Sequence, residues 1–165
     1  MADARVVIVG AGPAGVRAAG VLARARLQPT VIDEAPRPGG RIYQQPPAGA
    51  ERAARELYGF DAAKAVRLHR ALGEVAGRVA YLPDTLVWNC FDSALDLLGP
   101  SGPTRLAFDV LVLATGATDL ALPFPGWTLP GVYALGGAQI ALKSQGCAIG
   151  RRVVFLGAAR SSSAL

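Results

Sequence analysis

The chain opens on a short apolar run, residues 5–9, in which Val6, Val7, Ile8 and Val9 follow one another without a polar interruption. A run this short, β-branched and uniformly apolar predicts a strand buried on both faces. The period then changes. Over residues 13–26, Val16, Ala19, Val21, Leu22 and Ala25 fall on overlapping i, i+3 and i+4 positions and predict a helix with one apolar stripe. Pro13 suits the first turn of that helix, where a missing N–H costs little. Residues 29–33 read as a second strand. Strand, helix and strand at this spacing make a βαβ unit, and therefore a parallel sheet.

Further along, residues 35–50 are rich in Pro, Gly and Gln and predict an irregular segment. Residues 61–77 predict a helix capped by Asp61, with Val66, Leu68, Leu72 and Val75 at its apolar positions. Three short strands are expected at 85–90, 94–98 and 104–108, with a turn at 99–103 where Gly99, Pro100, Ser101, Gly102 and Pro103 cluster. Residues 110–114 predict another strand, 119–130 a Pro-rich connection, 139–145 a short helix and 152–156 a further parallel-type strand. No internal repeat is visible. The expected class is α/β: a Rossmann-like fold with a parallel sheet, crossover helices and a small antiparallel β-meander.

Composition narrows the function classes. With 165 residues and 52% hydrophobic positions the chain can bury a core, which excludes a disordered chain. The net charge is +5, yet the basic residues come in twos, as at Arg24 and Arg26 or Arg151 and Arg152, with no aromatic interleaving. Solvated helix faces account for that pattern better than a nucleic-acid surface does. The two cysteines, Cys90 and Cys147, and the one histidine, His69, have no metal-ligand spacing and form no disulfide framework, so a reducing cytoplasm is expected. The apolar stretch at 131–150 is interrupted by Gln139, Lys143 and Gln145, and no membrane span is expected.

Between the first strand and the first helix stands Gly10-Ala11-Gly12-Pro13-Ala14-Gly15, a G-x-G-x-x-G turn. Each glycine has a reason in this context. Gly10 permits the tight turn, a side chain at Gly12 would block a pyrophosphate, and Gly15 lets the helix approach the strand. The helix N-terminus offers N–H groups and a positive dipole end to phosphates, with Pro13 and Ala14 in its first turn. At the end of the second strand, Asp33, followed by Glu34, stands where an acid accepts hydrogen bonds from adenosine ribose hydroxyls and disfavours a 2′-phosphate. These residues predict a dinucleotide site and leave FAD and NAD both open.

Two further motifs accompany the first: Pro38-Gly39-Gly40-Arg41-Ile42-Tyr43, and Leu113-Ala114-Thr115-Gly116-Ala117 with the Pro- and Gly-rich stretch 123–132 behind it. On these three motifs, residues 5–157 resemble the flavoprotein oxidoreductases with two dinucleotide-binding domains, the pyridine-nucleotide oxidoreductase-like group. Within it the chain looks most like the FAD subunits of the opine oxidase A, hydrogen cyanide synthase B and sarcosine oxidase alpha type. The resemblance implies an FAD/NAD(P)-binding fold with FAD in the first site, and NAD as a further cofactor of the complete proteins. It implies that Gly40 and Arg41 lie along the flavin side, that the Val87 backbone edges the adenine, and that Ala114, Thr115 and Gly116 pass close to FAD. Position 41 departs from the family, which commonly carries Gln there.

The same resemblance implies residues 1–120 as an FAD-binding domain lacking its C-terminal segment, 121–150 as a connector and 151–165 as the first strand of a second dinucleotide-binding domain. Ala159 and Ser162 stand where that second unit would carry glycines, so a truncated product, through a frame change near codon 158, is expected. Hydride would pass from an amine or amino-acid-like small molecule to FAD and on to an external acceptor, with a second subunit of a hetero-oligomeric dehydrogenase as partner. The alternatives are an NAD-dependent oxidoreductase domain and an inactive or partner-dependent remnant. Residues 41–47 contain no cysteine, so dithiol chemistry is not expected. Cys147 is expected as a buried thiol and His69 as a solvated surface histidine, and no catalytic acid, base or nucleophile is named.

Overall fold

The computed structural model describes residues 4–121 and 123–157. Among the described residues, seven strands and four helices follow in the order β1 (Val6–Val9), α1 (Pro13–Arg24), β2 (Thr30–Ile32), α2 (Ala54–Tyr58), α3 (Ala62–Ala71), β3 (Ala80–Leu82), β4 (Leu86–Phe91), β5 (Ala94–Gly99), β6 (Gly102–Ala107), β7 (Val110–Leu113) and α4 (Leu135–Lys143). Single 3₁₀ turns flank α3 at Gly59–Asp61 and Gly73–Val75. Among the described residues no helix is long and apolar enough to cross a membrane.

Strands β3, β2, β1 and β7 form, in that order, a four-stranded sheet that is parallel throughout. Strands β4, β5 and β6 make a separate antiparallel meander. The β4–β5 hairpin turns through Asp92 and Ser93, both at positive φ (53° and 54°), the twist that matches two flanking strands across a two-residue loop.

The uniform run in β1 acquires its meaning from period-2 geometry. Ile8 points to one face with Val31 of β2, into a core completed by Val16, Ala19 and Ala23 of α1 and by Ala65 and Leu68 of α3. Val7 points to the other face with Ile32, against Leu95 and Leu97 of the meander. Both faces of β1 and β2 are therefore dry, and each fully buried Val or Ile contributes about 1.5–3 kcal/mol.

The structure corrects several expectations. The helix expected over 61–77 is shorter: α3 runs Ala62–Ala71, with a 3₁₀ turn at Gly73–Val75 behind it, and α2, which Gly59 at φ +55° ends, was not expected. Asp61 makes no side-chain cap and pairs instead with Lys64 at 2.7 Å. Strand β3 was not expected, and α4 begins at Leu135, four residues earlier than anticipated. Residues 152–156 form no strand. Val154 is 93% exposed there, because among the described residues no neighbouring strand supplies the ladder that a parallel strand needs. Ala159 and Ser162 lie outside the described residues.

One ion pair ties the entrance of the sheet. Arg5, before β1, donates to Asp109, before β7, from its backbone N (2.8 Å), Nε (3.1 Å) and a terminal guanidinium nitrogen (2.6 Å). The hydrogen bonds from Arg5 lower the Asp109 carboxyl from its ordinary 3.8 to about 2. A depressed carboxyl stabilises the fold above its unfolded value, so this contribution is present at neutral pH and is lost as the pH falls from about 3.8 towards 2. Thermal unfolding followed against pH should show wild type losing stability relative to Asp109→Asn across that window. Parallel curves for the two proteins would refute the linkage.

Candidate functional site

All four strands of the parallel sheet end on the same side, and a cleft of about 750 Å³ opens there. This is the crevice at the carboxyl ends of strands where open α/β sheets place ligands. The β1–α1 turn forms its floor. Gly10 takes φ +106°, and a Cβ there would collide with the Ala114 carbonyl at the end of β7. Its N–H donates to the Ile32 carbonyl at 2.7 Å, which draws the ends of β1 and β2 together. Helix α1 then starts from Gly12 with no side-chain cap and no acidic residue in its first turn. Its positive end faces the cleft without a counter-charge on its own first turn.

Asp33 follows β2. Its backbone is fixed on both sides, with its N–H donating to Leu82 O (3.1 Å) and its carbonyl accepting from Thr85 N (2.9 Å). One carboxylate oxygen accepts from Ala11 N and the other from Ala35 N at 2.8 Å. Each oxygen keeps a lone pair for a ligand hydroxyl. Opposite lies the loop 37–47. Its Gly39 N–H donates to Ala11 O at 2.9 Å, and Gly40, at φ +58°, comes so near the turn that a Cβ would stand 2.9 Å from Gly12 Cα.

The structure brings almost the whole expected set to this cleft. Gly10, Gly12, Pro13 and Ala14 line it from the turn, Asp33 and Glu34 from β2, and Gly40 and Arg41 from the loop. Val87 lines it from β4, and Ala114, Thr115 and Gly116 from the end of β7. Gly15 does not line it; that residue is buried beneath the turn, where a Cβ would collide with the Gly10 carbonyl. Lining residues not anticipated include Arg37, Gln44, Thr85 and Ile140. Thr85 and Gln44 sit one to three residues from motif positions, so only adjacency could have signalled them. Ile140 belongs to α4 and reaches the cleft through tertiary packing alone.

Charge is divided along the cleft. The carboxylates of Asp33 and Glu34 lie at the β2 end, while Arg37, Arg41 and the α1 N-terminus supply positive charge beside them. The walls between are apolar: Val9, Ile32, Leu86, Val87, Leu113 and Ile140. Such a site suits a ligand with hydroxyls at one end, anionic groups in the middle and flat apolar rings against the walls. Two other expectations change. His69 is half-buried, its Nε2 2.7 Å from the Tyr43 carbonyl oxygen, because α3 packs under the loop. Cys147 is exposed, since the chain beyond α4 turns outward, and Cys90 is exposed as well.

The sequence pattern of pyridine nucleotide-disulphide oxidoreductases matches residues 4–159. The chain belongs to that family. Several similar proteins are named as enzyme subunits. Over 161 residues it is 36% identical to the opine oxidase A subunit of Agrobacterium tumefaciens, covering 92% of this chain and 31% of that one. Over 142 residues it is 38% identical to the hydrogen cyanide synthase subunit HcnB of Pseudomonas aeruginosa, covering 85% and 30%. The crystal structure of L-proline dehydrogenase from P. horikoshii superposes with a TM-score of 0.66 at 25% identity, covering 90% of this chain and 30% of that one. The chain thus spans about 30% of the length of these proteins.

The two glycines that face each other across the turn should separate in their effect on folding. A Cβ at Gly12 meets only Gly40 Cα, at 3.7 Å, an ordinary contact. Gly12→Ala should therefore change the unfolding free energy by less than about 1 kcal/mol. Gly40→Ala adds left-handed strain to close approach and should cost about 2 kcal/mol or more. Urea unfolding of the two variants measures both, and equal losses would contradict the geometry.

Proposed function

We propose that the cleft binds FAD, and that the chain is the cofactor-binding part of an oxidoreductase acting on an amine or amino-acid-like substrate. The observation that carries this reading is the convergence, in one cleft, of an uncapped helix N-terminus and a pinned acid: α1 for a diphosphate and Asp33 for ribose hydroxyls. The names of the relatives, opine oxidase and L-proline dehydrogenase, support the substrate class.

Bound there, FAD would supply a two-electron acceptor for hydride from a C–H bond beside nitrogen, with an external acceptor to reoxidise it. The chain's own residues bind and orient. The first-turn N–H groups of α1 and the Arg41 guanidinium would neutralise the diphosphate. Gly12, without a side chain, would let it approach. Asp33 would accept from the ribose, and its charge would repel a 2′-phosphate, which disfavours NADP. Val87 and Leu86 would cover the adenine, while Ala114, Thr115 and Gly116 would line the flavin side. Within this reading residues 1–120 carry the cofactor, 121–150 connect, and 151–165 open a second dinucleotide-binding unit. The partner is a second type of chain in a hetero-oligomer, which the naming of the relatives as subunits supports, and the compartment is the cytoplasm.

Titration of the purified protein with FAD, followed by flavin fluorescence, should give saturable binding that survives desalting. Gly12→Ala should weaken it at least tenfold, about 1.4 kcal/mol, while the unfolding free energy changes by less than about 1 kcal/mol. Binding of NADH with no affinity for FAD would transfer the cleft to the nicotinamide cofactor. Binding of neither would overturn the reading.

A further inference from the structure

The loop 37–47 has no helix or strand of its own, yet it carries Gly40 and Arg41 to the cleft. Within the loop, Tyr43 N–H donates to Gly39 O at 3.2 Å, Gln45 Nε2 to Pro38 O at 2.8 Å and the Arg37 guanidinium to Pro46 O; from outside, three side chains on three different helices take three consecutive carbonyl oxygens. Lys143 Nζ, from α4, donates to Ile42 O at 2.7 Å. His69 Nε2, from α3, stands 2.7 Å from Tyr43 O. Tyr58 Oη, from α2, donates to Gln44 O at 2.8 Å. The three side chains also support one another. The Tyr58 ring packs edge-on against His69, with centroids 5.7 Å apart, and against Tyr43 at 6.0 Å. Lys143 Nζ lies 5.9 Å from the centre of the Tyr58 ring and 3.2 Å from Gln139 Oε1.

Lys143 is the informative member. It is 8% exposed, and none of its polar contacts is a carboxylate. Burial lowers its pKa, so the fold bears a desolvation cost at this ammonium. A salt bridge does not offset that cost; the Ile42 carbonyl, the Gln139 amide and the Tyr58 ring do. On its other side the loop is pinned by Gly39 N–H to Ala11 O, on the β1–α1 turn. Gly40 and Arg41 are thus the two residues between an anchor on the phosphate-facing turn and an anchor on the helices.

We propose that Lys143, Tyr58 and His69 are positioning residues that hold Gly40 and Arg41 at the cofactor cleft, so that α4 completes a cofactor wall built by residues 1–120. The proposal rests on the reading of the cleft as a cofactor site. The clamp preorganises the wall, and an unclamped loop has to be ordered by the ligand at the expense of affinity.

The test uses Lys143→Met, which keeps the apolar stem and removes the ammonium, and Tyr58→Phe, which removes one hydroxyl. Amide hydrogen exchange in the cofactor-free protein should accelerate at least tenfold over residues 39–46 in each variant, with β1 and β5 amides unchanged. FAD affinity should fall at least tenfold, and the effects of the two substitutions should be non-additive in the double variant. Unchanged exchange over 39–46 in both variants would overturn the clamp whether or not FAD binds. Faster exchange there with undiminished FAD affinity would overturn the positioning role. Faster exchange throughout the protein would reduce the three residues to ordinary supports of the fold. Failure of wild type to bind FAD would refute the cofactor reading instead, and the exchange data would still decide whether the clamp exists.

Discussion

Backbone lies directly on backbone at one point in this protein, and the rest is arranged around that approach. The β1–α1 turn passes beneath the Ala114 carbonyl at Gly10, folds back on itself at Gly15 and meets the loop at Gly40. None of these contacts tolerates a Cβ. Because they are made by main chain, they bring the end of β1, the start of α1, the end of β7 and the loop 37–47 within a few ångströms of one another. The uncapped start of α1 opens beside this approach with no side chain between, an arrangement that favours an anionic ligand.

The sheet makes that convergence rigid. Burial of β1 and β2 on both faces leaves no wet side on which the strands could shift, and a one-residue slip would exchange Val7 and Ile8 between two different cores. The register of β1 with β7 sets the height of Ala114 against Gly10. Asp33 is locked to the same frame by hydrogen bonds to Ala11 and Ala35 and by its backbone to Leu82 and Thr85. The acid is therefore a structural member of the turn as well as the proposed ribose acceptor. Its substitution disturbs both roles, whereas Gly12 isolates the second.

Much of this was legible along the chain. The strand–glycine–helix–strand pattern placed β1, α1 and β2 to within one or two residues, and the turn residues around 99–103 placed the β5–β6 hairpin. The misses share a cause. Strand β3 is three residues long and carries no alternation of its own; it is a strand because β2 lies beside it. Residues 152–156 have the right composition and, among the described residues, no strand beside them. Asp61 has the right chemistry for a cap, but Lys64 takes its carboxylate. His69 reads as a surface residue on its helix and becomes half-buried because a loop from another part of the chain crosses it.

The residues readable from the linear chain are those whose role depends on their own backbone or on near neighbours: the glycines of the turn, the apolar periods of β1 and α1, and the acid that ends β2. They follow from local sterics and from periods of 2 and 3.6 residues. Long-range packing fixed whatever crosses the chain: the two-sided burial of the sheet, the return of α4 so that Ile140 reaches the cleft, and the seating of Lys143, His69 and Tyr58 on three successive carbonyls. A carbonyl that accepts from a side chain 101 residues away leaves no period and no motif in the sequence, because every residue carries the same carbonyl.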